Sequence, residues 1–260
     1  MPGAGRIAGH MSKSPKAVSA ADEEIPDCPR CGKPLPLCIC DSVEPIDNRV
    51  ELLVLQHPQE QDRALGTARL AVQHFRKATL KIGLSWPSLS KVLGREVDPQ
   101  QWAILYLGSV DVANLATDRD LAAVDRKGEL EEHQRAILKD IEGVVLLDGT
   151  WSQAKALWWR NAWMLKCRRI VLNPAHPSLY GKLRKEPRRD GLSTIEAAGM
   201  VLARLERRPE IENALSATFQ RMLAQYRKVQ DEMPELAPKP KKRDWRRPEN
   251  RRGKGAKAPV

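Results

Sequence analysis

Five short runs of aliphatic and β-branched residues, several of them almost unbroken, constrain this chain more than any other feature. They are Val50–Gln56, Thr79–Leu84, Trp102–Leu107, Gly143–Leu147 and Arg168–Leu172. Runs of that length suit strands, and a run without polar alternation suits a strand covered on both faces. Segments of helical periodicity lie among them: Thr67–Arg76, Leu130–Ile141, Ser152–Lys166, Thr194–Leu205 and Glu210–Gln230. This alternation predicts βαβ units, hence an α/β domain whose mostly parallel sheet is flanked by helices. Two helix starts are marked. Ser193-Thr194-Ile195-Glu196 and Thr150-Trp151-Ser152-Gln153 both fit a capping box, in which the cap hydroxyl and the third side chain satisfy each other's backbone N–H. Behind the first, Ile195, Ala198, Val201, Leu202 and Leu205 share one face and predict core.

The remaining organisation follows from composition. The chain of 260 residues carries a net charge of +11, and Lys239–Lys257 holds ten basic residues against two acids, +8 of that total. This Pro-containing stretch has too little apolar surface to offset its ordering entropy, so a disordered basic tail is expected over 234–260. Cations on such a tail would release counterions from a polyanion, which suits an RNA tether; a solubilising tail is the alternative. Residues 1–27 are expected to be a disordered leader, 28–47 a cysteine module and 48–233 the globular domain. The first 24 residues lack the apolar run of a signal peptide, and no stretch approaches the length of a membrane span, so a cytoplasmic protein is expected.

In that compartment five cysteines suit thiols or metal ligands better than disulfides. Cys28-Pro-Arg-Cys31 forms a CxxC knuckle and Cys38-Ile-Cys40 adds a tighter pair. Four thiolates so close can converge on one tetrahedral ion, and a closed four-sulfur site suits structural zinc. An iron–sulfur cluster could use the same ligands. Cys167 stands apart and reads as packing.

Four segments could carry chemistry. Gly143–Leu147 runs into Asp148-Gly149-Thr150-Trp151, an apolar strand ending in a carboxylate, a tight turn and a capped helix. In an open parallel sheet ligands bind at the carboxyl ends of strands, where Asp148 would stand. Alternatively Asp148 and Thr150 only cap the helix. A second strand ends in Leu107-Gly108-Ser109, small enough to admit a cofactor. His57 follows the first strand, as a base, a phosphate donor or a structural residue. The loop with Ser178, Tyr180, Arg184 and Lys185 offers a hydroxyl, an aromatic ring and cations, which suit RNA or form a solvated basic loop. Trp158, Trp159 and Trp163 read as core or interface and receive no nucleic-acid role.

Together and in order, these pieces resemble the DTW-domain family, whose Asp-x-Thr-Trp motif stands here as Asp148-Gly149-Thr150-Trp151. The resemblance extends to CxxC plus CxC, Gln56-His57-Pro58 with Glu60, Thr67-x-Arg69-Leu70, Ser178-x-Tyr180 with Arg184, and Ser193-Thr194-x-Glu196-Ala197. It covers roughly Cys28 to Tyr226 and is closest to the bacterial type; Gly181-Lys182 adds a residue before Leu183-Arg184. It implies a tRNA-uridine aminocarboxypropyltransferase with a SPOUT-like fold and a C-terminal knot, taking S-adenosylmethionine as co-substrate and tRNA as partner. On that resemblance Asp148 is expected as general base, with Thr150 holding Asp148 or the turn and Trp151 lining the cofactor pocket or stacking a base. Leu107, Gly108, Ser109, Leu147 and Gly149 would wall the cofactor, and Ser193, Thr194 and Glu196 would bind it. His57, Arg69, Ser178, Tyr180, Arg184 and Lys185 would meet RNA, and Cys28, Cys31, Cys38 and Cys40 would hold zinc. The rival readings are an S-adenosylmethionine-dependent RNA methyltransferase and a non-catalytic zinc-containing RNA-binding protein.

Overall fold

A computed structural model describes residues 25–61, 63–105, 120–181, 183 and 191–237. Most of the expected leader, nearly all of the basic tail, and the expected site residues Leu107, Gly108, Ser109, Arg184 and Lys185 lie outside the described residues.

The strands are β1 (Glu51–Gln56), β2 (Ala78–Ile82), β3 (Trp102–Leu105), β4 (Leu121–Val124), β5 (Gly143–Asp148) and β6 (Arg168–Leu172). They form one six-stranded sheet in the order β2-β1-β5-β3-β6-β4. Every pairing is parallel except that of β4, which runs antiparallel to β6 at the sheet edge. The α-helices are α1 (Ala68–Gln73), α2 (Leu89–Leu93), α3 (Gln134–Lys139), α4 (Trp151–Arg160), α5 (Thr194–Glu206) and α6 (Pro209–Glu232). No helix among the described residues is long and apolar enough to cross a membrane.

The two-residue strand period sorts side chains into two cores. Leu52, Val54, Ala103, Val144, Leu146 and Ile170 share a cluster with residues of α1, α5 and α6. Leu53, Leu55, Trp102, Ile104 and Val145 share the other with Leu89 and Val92 of α2 and with Trp163 and Met164. Both faces are therefore covered, which is why the strands read as nearly unbroken apolar runs. Cys28, Cys31 and Cys40 belong to the first cluster, so the cysteine module is part of that core.

Three departures from the sequence expectation have local causes. β4 is four residues with two alanines, too short to show a period; only pairing with β6 makes it a strand. The helix expected from Leu130 begins at Gln134, because Leu130 bridges Val124 and the Glu131 N–H donates to the Ala123 carbonyl. The helix expected over Ser152–Lys166 breaks at Asn161. That residue is 1% exposed, and its amide donates to the Leu84 and Leu157 carbonyls at 3.0 and 2.7 Å. Its Oδ1 accepts from the Trp86 N–H at 2.8 Å and the Trp163 indole at 3.3 Å. Four bonds from one side chain outweigh the continuation of a helix, and a 3-10 turn (Ala162–Lys166) follows.

β1 and β3 flank β5, and the chain leaves them in opposite directions, from β1 to β2 at one edge and from β3 onward to β4 at the other. A sheet wound this way opens a crevice at the carboxyl ends of its central strands. β5 ends there, on Asp148.

Candidate functional site

Register brings the first two side chains together. Gln56 at the end of β1 pairs with Asp148 at the end of β5. Counting in twos from Val54 and Leu146, both point to the face covered by α5. There the Gln56 Nε2 donates to Asp148 Oδ2 at 2.8 Å. The Thr194 hydroxyl, at the first residue of α5, donates to Asp148 Oδ1. One carboxylate is thus held from both sides, half-buried, at a strand terminus and beside a helix start. The His57 N–H donates to the Asp148 carbonyl at 2.9 Å, and the His57 Nδ1 accepts from the Gln59 N–H at 3.3 Å.

The turn after Asp148 is close-packed. A Cβ at Gly149 would stand 2.9 Å from that of Gln153 and 3.4 Å from that of His57. Thr150 caps α4, and Gln153 completes the capping box. Trp151 lies under the Lys155 ammonium, 5.5 Å from its centroid. The Leu147 side chain packs against the opposite core, so only its backbone faces the crevice side.

Several expected contact residues instead build the wall. Glu196 accepts from the Ser178 hydroxyl at 2.6 Å, from the Leu179 N–H at 2.8 Å, and from the Ser193 N–H and hydroxyl at 2.8 and 2.5 Å. Ser193, Glu196 and Ser178 thereby spend these polar atoms on one another. The structure thus gives these three residues, expected at cofactor and RNA, partners within the wall. Tyr180, expected at RNA, is 2% exposed, packs edge-on against Phe219 at 4.9 Å, and donates its hydroxyl to the Leu65 carbonyl at 2.7 Å. A ring so covered has no free face for a base.

The cysteine module abuts this site. The four sulfurs of Cys28, Cys31, Cys38 and Cys40 lie within 4.8 Å of one another, a cluster that could hold a metal ion. The Cys28 and Cys40 sulfurs are 3.9 Å apart. Burial pushes the Cys31 and Cys40 thiols up, so ionised sulfurs at this spacing call for a cation between them. Gly32 has φ 65°, a left-handed turn, and a Cβ there would meet Arg69 Nε at 3.4 Å. Lys33 follows, and its ammonium donates to the Arg63, Ala64 and Gly66 carbonyls at 3.3, 2.6 and 2.9 Å. With Tyr180 on Leu65, four successive carbonyls are captured. Burial pushes the Lys33 ammonium down to about 8; Cys31, Cys40 and Asp148 oppose the shift and Arg69 adds to it, so one local field joins module and carboxylate.

Two buried atoms here have no hydrogen-bond partner among the described residues: Gln56 Oε1 and Arg69 Nε. Such groups cost free energy unless something satisfies them, and an acceptor and a donor left open suit a polar ligand. The sequence reading assigned no role to Gln56 or Lys33. Gln56 carried a readable signal, a polar residue ending an apolar strand, but its partner depends on which strand lies beside it.

The family described as the DTW domain matches residues 25–227. The chain is 28% identical over 205 residues to tRNA-uridine aminocarboxypropyltransferase 2 of Mus musculus, covering 76% of this chain and 62% of that protein. It is 29% identical over 204 residues to the protein of the same name in Macaca fascicularis, covering 75% and 61%. The one in Drosophila melanogaster is 28% identical over 194 residues, covering 72% and 70%. The chain thus spans under two thirds of the length of the two mammalian relatives. No solved structure matches it.

Proposed function

This chain belongs to the DTW-domain family, and on that premise we propose that it transfers the 3-amino-3-carboxypropyl group of S-adenosylmethionine to N3 of a uridine in tRNA. The names of its relatives support the activity. The observation that carries the reading is the Asp148 carboxylate, held by Gln56 and Thr194 at the mouth of the sheet.

S-adenosylmethionine supplies a carbon made electrophilic by the adjacent sulfonium. Asp148 takes the proton from uridine N3 as the N3–carbon bond forms and the carbon–sulfur bond breaks, leaving 5′-methylthioadenosine. Gln56 and Thr194 fix the carboxylate so that it need not reorganise, which is where positioning lowers a barrier. The residues fit a zwitterionic amino-acid ligand: Arg69 Nε is a donor awaiting a carboxylate, and Gln56 Oε1 is an acceptor awaiting an N–H. Thr150 and Gly149 shape the turn, and Trp151 offers its ring at the rim. His57, whose N–H donates to the Asp148 carbonyl, would meet the RNA.

Cys28, Cys31, Cys38 and Cys40 would hold zinc. Sulfurs at ~2.3 Å around a tetrahedral zinc stand ~3.8 Å apart, close to the 3.9 Å between Cys28 and Cys40. Four sulfurs close the coordination shell, so the ion braces the module and takes no part in the transfer.

Nucleoside analysis of tRNA lacking the modification, incubated with protein and S-adenosylmethionine, tests the reading. A uridine heavier by the aminocarboxypropyl group is expected; a methylated uridine would establish the methyltransferase instead. Thr194→Val removes one hold on Asp148 and adds no bulk. We expect kcat to fall roughly tenfold while stability changes by about 1 kcal/mol, with Thr194→Ser restoring the rate. A wild-type rate in Thr194→Val would detach Thr194 from catalysis.

A further inference from the structure

Trp159 is the most exposed large hydrophobic residue among the described residues, at 79%. Lone apolar side chains on a surface are ordinary; this one is distinguished by its place and its surroundings. α4 begins at the Asp148 turn. Near its start the Gln153 amide donates to Gln59, just past β1, at 3.1 Å. Near its end the Arg160 carbonyl accepts from the Ser85 hydroxyl at 3.0 Å, in the segment just past β2. The helix therefore travels along the carboxyl rim of the sheet, the same rim that carries the reaction centre. Lys155 lies one turn before Trp159 on the same face, and both are exposed, as is Arg160. From Gly149 to Leu172 the chain has five cations, Lys155, Arg160, Lys166, Arg168 and Arg169, and no acid.

We propose that the exposed face of α4 is a docking surface for tRNA, with Trp159 as a stacking platform beside the reacting uridine. The proposal rests on the tRNA reading above and extends it to a second point of contact. Trp159 is seven residues past Ser152, so the platform stands about 10 Å along the helix from the mouth of the site. An indole face accepts any base that leaves its stack, and Lys155 and Arg160 beside it can meet the flanking phosphates. A second copy of this chain is a poor occupant. A two-fold contact through this face would bring the cations of this acid-free segment against themselves.

The test compares the full-length wild type with Trp159→Ala, Trp159→Phe and the double variant Lys155→Ala/Arg160→Ala. Affinity for total tRNA is measured across a salt series, alongside the melting temperature, sedimentation and acp formation. Stacking losses of this kind weaken binding by about five- to a hundredfold. Trp159→Ala is expected to do so with a matching rise in KM for tRNA, an unchanged kcat and an unchanged melting temperature. Trp159→Phe should recover most of the affinity. The double variant should flatten the slope of log affinity on log salt by roughly 0.7–0.9 per cation removed. Unchanged tRNA affinity in Trp159→Ala overturns the proposal. So does a wild type that binds no tRNA, or a Trp159→Ala whose sole change is loss of self-association, which would assign the face to a second copy. Weakened tRNA binding by Trp159→Ala, with no acp product from the wild type, would keep the surface and remove the proposed activity.

Discussion

Asp148→Asn is expected to lower aminocarboxypropyl transfer by about 10² to 10⁴, the range supplied by a positioned general base. The substitution is informative because the site can absorb it. The carbonyl oxygen of the new amide keeps the Thr194 hydroxyl, and the NH₂ group of that amide would meet Gln56 Nε2, donor against donor. Gln56 resolves this by turning its own amide, which presents the Oε1 that is otherwise buried without a partner. The fold then survives with both contacts intact, while the proton acceptor is lost and the turned Gln56 offers its Nε2 where Oε1 had been open to the ligand. Asp148→Ala is a poorer probe, because it orphans Gln56 and Thr194 at about 1–3 kcal/mol for each buried group. Turnover by Asp148→Asn at the wild-type rate would remove Asp148 from the chemistry.

The second large effect is expected at the metal. Purified protein should carry about one zinc per chain, and a Cys28→Ser/Cys31→Ser double variant should lose it. The expected destabilisation is roughly 3 kcal/mol or more, since binding energy at a structural zinc is folding energy. For a domain of this size that lowers the melting temperature by about 6–12 °C. The loss should also reach catalysis, through contacts that are all present in the structure. Lys33, two residues past Cys31, holds the Arg63, Ala64 and Gly66 carbonyls. That loop leads to Thr67, whose hydroxyl oxygen accepts from the Ile195 N–H at 3.3 Å. Ile195 adjoins Thr194, which holds Asp148. A zinc-free variant that melts and turns over like the wild type would make the module an independent appendage.

How much of this was legible beforehand differs by kind of interaction. The five named strands and the capping boxes at Ser193 and Thr150 were readable, because strand runs and caps are local patterns. The cysteine cluster was readable from spacing alone. The role of Gln56 was not, since it needs the β1–β5 register, a pairing of strands 92 residues apart. The partners of Tyr180 and Glu196 were not legible for a related reason. The sequence offers an aromatic in a loop and an acid at a helix start, and only the packing of α5 and α6 shows which partners their polar atoms take. Asn161 shows the limit of periodicity: the apolar pattern of a single helix continues past it, and the buried amide breaks the helix by its bonds to Leu84 and Trp86.

In the proposed reaction a carboxylate at the end of β5 directs uridine at the aminocarboxypropyl arm of the donor. S-adenosylmethionine labelled either in that arm or in its methyl group, incubated with tRNA and the wild-type protein, tests it most directly. Label from the arm should enter the tRNA, and label from the methyl should leave on 5′-methylthioadenosine. Methyl label in the tRNA, or no transfer from either position, would overturn the proposed reaction.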